Sequence, residues 1–378
     1  MIHILHFIAN NSSVPYFKWF AELSATDKNV KLSFAMLLNQ RPTLIDEMKK
    51  LGIEVHWIYF DRTKRSVSML RAIPKLYALM QRLNPDVVHT HLFDDSLPAL
   101  FAGRLARVPV RVITKQDTAF HWYYAPKAVK YDRLNNKNAT HIVAVSEECK
   151  EFILEKEKAD PAKVHLIHHG IPIGLLTHQT EETRTLLRSK YNPNSKMIIG
   201  TVARIIEWKG YRYIIEAAAK LVKKHPGLHF LFAGEGAQKG ELELLIKEKG
   251  LGDSISFTGL IDRQDIPSFY GIMDIYLHAA FMEPFGFVIA EAMANGVPVV
   301  STPTGAARDS IRDGENGMLV RYKDPDSIVA GIERLLTLSH DERKRMGEKA
   351  RQTVFELFRV EKTWENYLRL YRDAANKK

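Results

Sequence analysis

Short apolar runs alternate along the chain with longer stretches in which apolar side chains return at helical spacing. Strands buried on both faces need no polar alternation, so this pattern predicts parallel sheets covered by helices. In the first half the predicted strands are residues 2–7, 31–37, 55–58, 87–89, 111–114, 141–145 and 164–168. A second series is predicted at 198–203, 230–233, 255–258, 275–278, 297–301 and 317–320. The polar stretch 177–195 breaks the rhythm and reads as a linker. The expected organisation is α/β, with one domain over residues 1–180 and another over 190–358.

Composition narrows this picture a little. A chain of 378 residues is long for one core and ample for two. The single cysteine, Cys149, excludes an internal disulfide and suits a reducing compartment. The opening MIHILHFIAN lacks a basic n-region and reads as a first strand, and no apolar run is long enough to span a bilayer. A cytoplasmic protein is therefore expected. The net charge of +10 invites an acidic partner: nucleic acid, anionic lipid or a phosphorylated substrate. No nucleic-acid module or aromatic–basic array accompanies the charge, so no nucleic-acid partner is expected.

The chemistry concentrates in the segment Glu283-Pro-Phe-Gly-Phe-Val-Ile-Ala-Glu291. Pro284 suits the first position of a helix, where its missing N–H costs nothing, and Gly296 suits the left-handed residue beyond the end. Glu283 then sits at the helix start, with Glu291 two turns on, roughly 10–12 Å along the axis. Free N–H groups of the first turn offer an anion site between two carboxylates that can accept hydroxyl hydrogen bonds. That arrangement matches a nucleotide sugar, with sugar, diphosphate and ribose in sequence. Arg204 and Lys209 follow a predicted strand, where open α/β sheets bind ligands. Two cations there can stabilise charge building on a leaving diphosphate, a task otherwise given to a metal ion. Gly234-Glu235-Gly236 closes another strand with a tight turn.

These residues resemble the Glu-x7-Glu and Arg-x4-Lys-Gly motifs of family 4 (group 1) of the glycosyltransferases. Residues 86–91, 143–152 and 313–320 resemble further family segments in the same order, and the likeness covers most of residues 84–370. The resemblance implies the GT-B architecture: two facing Rossmann-like domains, a cleft, and a C-terminal helix, about 359–378, crossing back to the first. It implies retaining transfer of a sugar from a nucleoside-diphosphate sugar to a glycan or lipid-linked acceptor, in cell-envelope polysaccharide biosynthesis, with no metal and no cofactor. Arg204, Lys209 and Glu283 would carry catalysis, the two cations on the diphosphate and Glu283 on the donor sugar. Glu291 would bind the ribose, and Gly234, Glu235, Gly236, Phe285, Gly286, Asn11 and Gln116 would complete the substrate contacts. A sugar-nucleotide epimerase of this architecture, or a non-catalytic sugar-nucleotide-binding protein, is the alternative.

The chain departs from the family pattern at several points. Asn10-Asn11-Ser12-Ser13 stands in place of a glycine-rich turn, and Gln116 where a histidine is common. Glutamine cannot act as a base, and His121 is out of register; the leaving phosphate can take the acceptor's proton instead. Asp324-Pro-Asp326 has a metal-binding spacing but precedes a helical pattern, so one aspartate is expected to cap that helix. His89 and His91 share one face of a strand, and are read as one packed and one lining a cleft. Over residues 64–83, Leu70, Ile73, Tyr77, Met80 and Leu83 form an apolar stripe opposite Lys64, Arg71, Lys75 and Arg82, with a kink or a helix start at Pro74. Such a helix suits peripheral contact with an anionic membrane surface, or the ordinary packing of a surface helix on its sheet.

Overall fold

The computed structural model describes residues 1–9, 15–116, 119–191 and 196–376. Asn11 and its turn lie outside the described residues. The chain forms two compact units, Met1–Gly170 with Val360–Lys378, and Ile171–Arg359.

The first unit contains the strands β1 (Ile2–Ile8), β2 (Val30–Leu38), β3 (Glu54–Tyr59), β4 (Val87–Thr90), β5 (Val110–Lys115), β6 (His141–Ala144) and β7 (Val164–Leu166). They pair in parallel in the order β3-β2-β1-β4-β5-β6-β7. The second unit contains β8 (Met197–Val202), β9 (Leu228–Ala233), β10 (Ile255–Gly259), β11 (Ile275–His278), β12 (Val299–Ser301) and β13 (Met318–Leu319), in the order β10-β9-β8-β11-β12-β13. Every predicted run carries a strand. The order reverses between β1 and β4 in one sheet and between β8 and β11 in the other, the switch points where such sheets bind ligands.

The two faces of the first sheet bury separate cores. Ile4, Phe34 and Val87 point into one, and Leu5, Ala35 and Val88 into the other, as alternation along a strand requires. The helix Val360–Asn376 completes the former core with Trp364, Tyr367, Leu368 and Tyr371, spaced on one helical face. The same core holds a buried histidine cluster. His6 Nδ1 lies 2.8 Å from His91 Nε2, while His89 bonds the Tyr371 hydroxyl at 2.6 Å and the Thr114 hydroxyl at 2.7 Å. Ring nitrogens of the three lie within 4.8 Å of one another, but these bonds already employ most of them, so the cluster reads as a polar network within an aromatic core.

Two expectations need correction. The stretch 177–195 contains a helix, Glu181–Tyr191, which buries only Leu187 and so shows little apolar periodicity. The helix Arg65–Leu83 runs through Pro74 and buries Ser68, Ala72, Leu76, Leu79 and Met80. Its phase is shifted from the predicted stripe, leaving Leu70 70% and Tyr77 40% exposed. Among the described residues no helix is long and apolar enough to cross a membrane.

Candidate active site

The second unit gathers its charged residues at the β8/β11 switch point. After β8 the chain makes a 3-10 turn, Glu207–Lys209, ended by Gly210 at φ +76°. A Cβ at Gly210 would fall 2.1 Å from the Ala279 carbonyl oxygen, so only glycine lets this loop press against the segment leaving β11. The Trp208 carbonyl accepts from Phe281 N at 3.0 Å and fixes the same approach.

This contact brings Lys209 onto Glu283. Their side chains form an ion pair, with the residues 8% and 9% exposed. His278, at the end of β11, places Nε2 3.4 Å from the same Glu283 oxygen. Burial alone would raise the Glu283 carboxyl, but the nearby His278 and the Lys209 charge outweigh it and hold the group down at about 2. Burial conversely lowers His278, which therefore stays neutral at pH 7. Arg204, on the loop that follows β8, is exposed and makes no ion pair among the described residues.

The helix predicted from Pro284 begins three residues later, at Phe287–Ala294. Gly286 precedes it at φ +83°, a backbone shape that stops the helix from extending back to Pro284. Gly296 follows the helix in the left-handed region, as expected. Glu291 lies on this helix, half-buried, and accepts a 3.0 Å hydrogen bond from the buried Tyr270 hydroxyl. Burial pushes its carboxyl up, against that bond and the charge of Arg263.

Other predicted residues serve the frame of the site. A Cβ at Gly234 would meet the Ala203 oxygen at 2.0 Å, and one at Gly236 the Ile205 oxygen at 2.2 Å. The two glycines thus let the loop carrying Arg204 cross the end of β9. Glu235 pairs with Lys239 at 3.0 Å on the surface. Phe285 packs inward against Phe287 and Phe358. Asp324 caps the helix Pro325–Thr337 by accepting from Ser327 N at 2.9 Å, and Arg321 holds its other oxygen. Gln116 lies in the first unit, on the wall of a cavity shared with His121.

Sequence reasoning missed the partners. His278 was legible only as a polar residue closing an apolar strand, and Tyr270 carried no signal. Thr304 is fully buried, and its hydroxyl has no partner among the described residues. The glycine after it sits 2.7 Å, by its would-be Cβ, from the Glu283 carbonyl oxygen.

Comparison with known proteins bears directly on this site. The family profile described as "Glycosyl transferases group 1" matches residues 183–353, which include Arg204, Lys209, His278, Glu283 and Glu291. The profile "Glycosyltransferase Family 4" matches residues 36–175. The chain belongs to this glycosyltransferase family. It is 26% identical to the capsular polysaccharide biosynthesis glycosyltransferase CapM of Staphylococcus aureus, over 86% of this chain and 87% of that protein. It is 27% identical to an alpha-D-kanosaminyltransferase of Streptomyces kanamyceticus, over 70% of this chain and 71% of that protein. Among solved structures it resembles HepE of Anabaena in complex with UDP, at a TM-score of 0.83 and 18% identity, covering 98% and 100% of the two chains. The fold is that of the GT-B glycosyltransferases, and the enzyme is a glycosyltransferase; neither an epimerase nor a non-catalytic binding protein is favoured.

Proposed function

We propose that this glycosyltransferase takes a nucleoside-diphosphate sugar on its second unit and transfers the sugar with retention, without a metal ion. The observation that carries this reading is the buried Lys209–Glu283 pair at the switch point, with the exposed Arg204 earlier on the same loop after β8. Lys209 and Arg204 face the diphosphate and stabilise its charge as the bond from the anomeric carbon to the phosphate oxygen breaks. Glu283, held ionised, accepts hydrogen bonds from the donor sugar's hydroxyls, and Glu291 from the ribose. The acceptor oxygen forms the new bond on the same face, and its proton passes to the leaving phosphate. HepE holds UDP, which makes UDP-sugars the first donors to test. The likeness to CapM supports an acceptor in cell-envelope polysaccharide assembly.

A screen of UDP-, GDP- and ADP-sugars by thermal unfolding checks the donor site. A ligand at a hundred times its Kd stabilises by about 2.7 kcal/mol, and the shift is expected with one nucleotide, in EDTA as in buffer. A shift abolished by EDTA would refute metal independence, and no shift across the panel would refute the donor assignment.

Peripheral attachment to the cytoplasmic face of a membrane is proposed through the helix Arg65–Leu83. Its outward Leu70 and Tyr77 sit among the exposed Arg71 and Lys75, an apolar-and-basic surface suited to anionic lipid. Co-flotation with phosphatidylglycerol vesicles is expected at low salt and lost in Leu70→Glu. Protein that stays at the bottom of the gradient at low salt ends the idea.

A further inference from the structure

Glu291 is held by a residue that no ligand can reach. Tyr270 ends the short helix Ile266–Tyr270 and is fully buried. Its ring packs edge-on to that of Tyr276, with centroids 5.8 Å apart. Its hydroxyl lies 3.0 Å from Glu291 Oε2 and 3.2 Å from the Val288 carbonyl oxygen. Val288 and Glu291 share a face of the helix Phe287–Ala294, so one hydroxyl spans both. The charged oxygen is the nearer, and the stronger acceptor of the single proton.

One neighbouring segment ties the two helices together. Gln179 Nε2 donates to Asn295 Oδ1 at 2.8 Å, and Asn295 Nδ2 donates to the Glu291 carbonyl oxygen at 2.8 Å. On the other helix, Ser268 Oγ accepts from Thr180 N at 3.3 Å. Residues 179 and 180 thus fix the backbone of Glu291 and the turn that carries Tyr270 against one another, and the hydroxyl meets the carboxylate in one geometry.

A glutamate with a free end gives up rotamers when it binds, and that loss is subtracted from affinity. The bond from Tyr270 makes the loss during folding instead. It engages Oε2 and leaves Oε1 without a hydrogen bond among the described residues. Burial pushes the Glu291 carboxyl up, and the tyrosine bond opposes it. Burial pushes the Tyr270 hydroxyl up as well, so it keeps the proton that it donates. We propose that Tyr270 is a positioning residue for the donor: it aims Glu291 at the vicinal hydroxyls of ribose and so selects ribonucleotide over deoxyribonucleotide donors. The inference rests on the reading of Glu291 as the ribose acceptor.

Calorimetric titration of the full chain with UDP, GDP and ADP, each beside its 2′-deoxy and 3′-deoxy forms, tests it. The parent is expected to bind one ribonucleotide about 10–100-fold tighter than a deoxy form, the span of one hydrogen bond to a charged group. Tyr270→Phe keeps the ring in the core and should lower that ratio about 10-fold, through the ribonucleotide alone. Glu291→Ala should abolish the ratio. The double variant should lose no more than Glu291→Ala, because Tyr270 acts only through the carboxylate. At position 270, para-aminophenylalanine keeps a donor on the ring and should restore the ratio. There para-fluorophenylalanine fills the same space without a donor and should not, and this pair carries the test where Tyr270→Phe does not fold. A ratio abolished in Glu291→Ala but undiminished in Tyr270→Phe, or additive losses in the double variant, overturns the proposal and leaves the ribose reading standing. A ratio kept in Glu291→Ala, or no preference in the parent, overturns the ribose reading and the proposal together.

Discussion

Replacing Lys209 with methionine is expected to lower kcat/KM by about 10²–10³, the loss typical of removing one preorganised charge from a developing anion. The same change should cost about 3–5 kcal/mol of stability, because it leaves a carboxylate buried without its partner. Glu283 is 9% exposed and held ionised by Lys209 and His278, so it cannot escape to water when the lysine goes. The two effects can be separated. Adding Glu283→Gln to Lys209→Met removes both charges, and stability should return to near the parent's while activity does not. Arg204→Ala makes the complementary case. Arg204 is exposed and unpaired among the described residues, so its loss should change stability by no more than about 0.5 kcal/mol. Its effect on kcat/KM should nonetheless approach that of Lys209→Met. Urea unfolding and steady-state rates on the four proteins decide the matter. An Arg204→Ala enzyme as active as the parent would remove that residue from the mechanism, and a double variant with restored activity would remove the pair.

Much of this was open to reading because fully buried parallel strands declare themselves as apolar runs. Each of the thirteen strands among the described residues falls where such a run was found, from Ile2–Ile8 to Met318–Leu319. The failures came where local signals competed or fell silent. Pro284 is a strong helix opener, yet the positive φ of Gly286 moves the start to Phe287. The helix Glu181–Tyr191 leaves Leu186 64% exposed beside the buried Leu187, so it offered no stripe to detect. In the helix Arg65–Leu83 an apolar stripe was present, but small residues such as Ser68 and Ala72 face the sheet and the larger Leu70 and Tyr77 face outward.

The site divides along the same line. Within one segment, spacing placed Glu291 on its helix but put Glu283 at the helix start, whereas that helix begins only at Phe287. Lys209 meeting Glu283 depends on β8 lying beside β11, a register set by residues such as Ile199 and Ile275. Tyr270 under Glu291 and Asp132 under His121 are side-chain meetings that no spacing rule contains. Glycines Gly234 and Gly236 were read as making room for a ligand, and the structure shows them also making room for Ala203 and Ile205. Close backbone approach explains both, which is why the sequence alone did not distinguish them.

Acid should unfold the first unit well before the second. Burial holds His6 and His169 at about 3 and His89 and His91 well below their ordinary 6.5, so all four stay neutral in the folded state. The unfolded chain takes up protons on them below pH 6.5, so stability is complete above that value and falls as pH drops. Asp95 acts in the opposite sense. Burial pushes its carboxyl up to about 7, so folding binds its proton first and offsets one histidine. Three uncompensated protons remove about 6 kcal/mol between pH 7.5 and pH 5, a large share of the roughly 5–15 kcal/mol that holds a domain together. In the second unit burial lowers His229 and His278, fewer than in the first, and its depressed carboxyl, Glu283, loses its contribution only below the ordinary 4.5 and down towards 2. Hydrogen exchange followed by mass spectrometry at pH 7.5, 6 and 5 would report residues 1–170 and 171–359 separately. Peptides of β1 and β4 should lose protection by pH 5 while those of β8 and β11 keep theirs. Full protection of β1 and β4 at pH 5 would mean that the histidine cluster takes up protons without opening the core around it, and equal loss in both units would mean that the cluster does not decide which unit opens first.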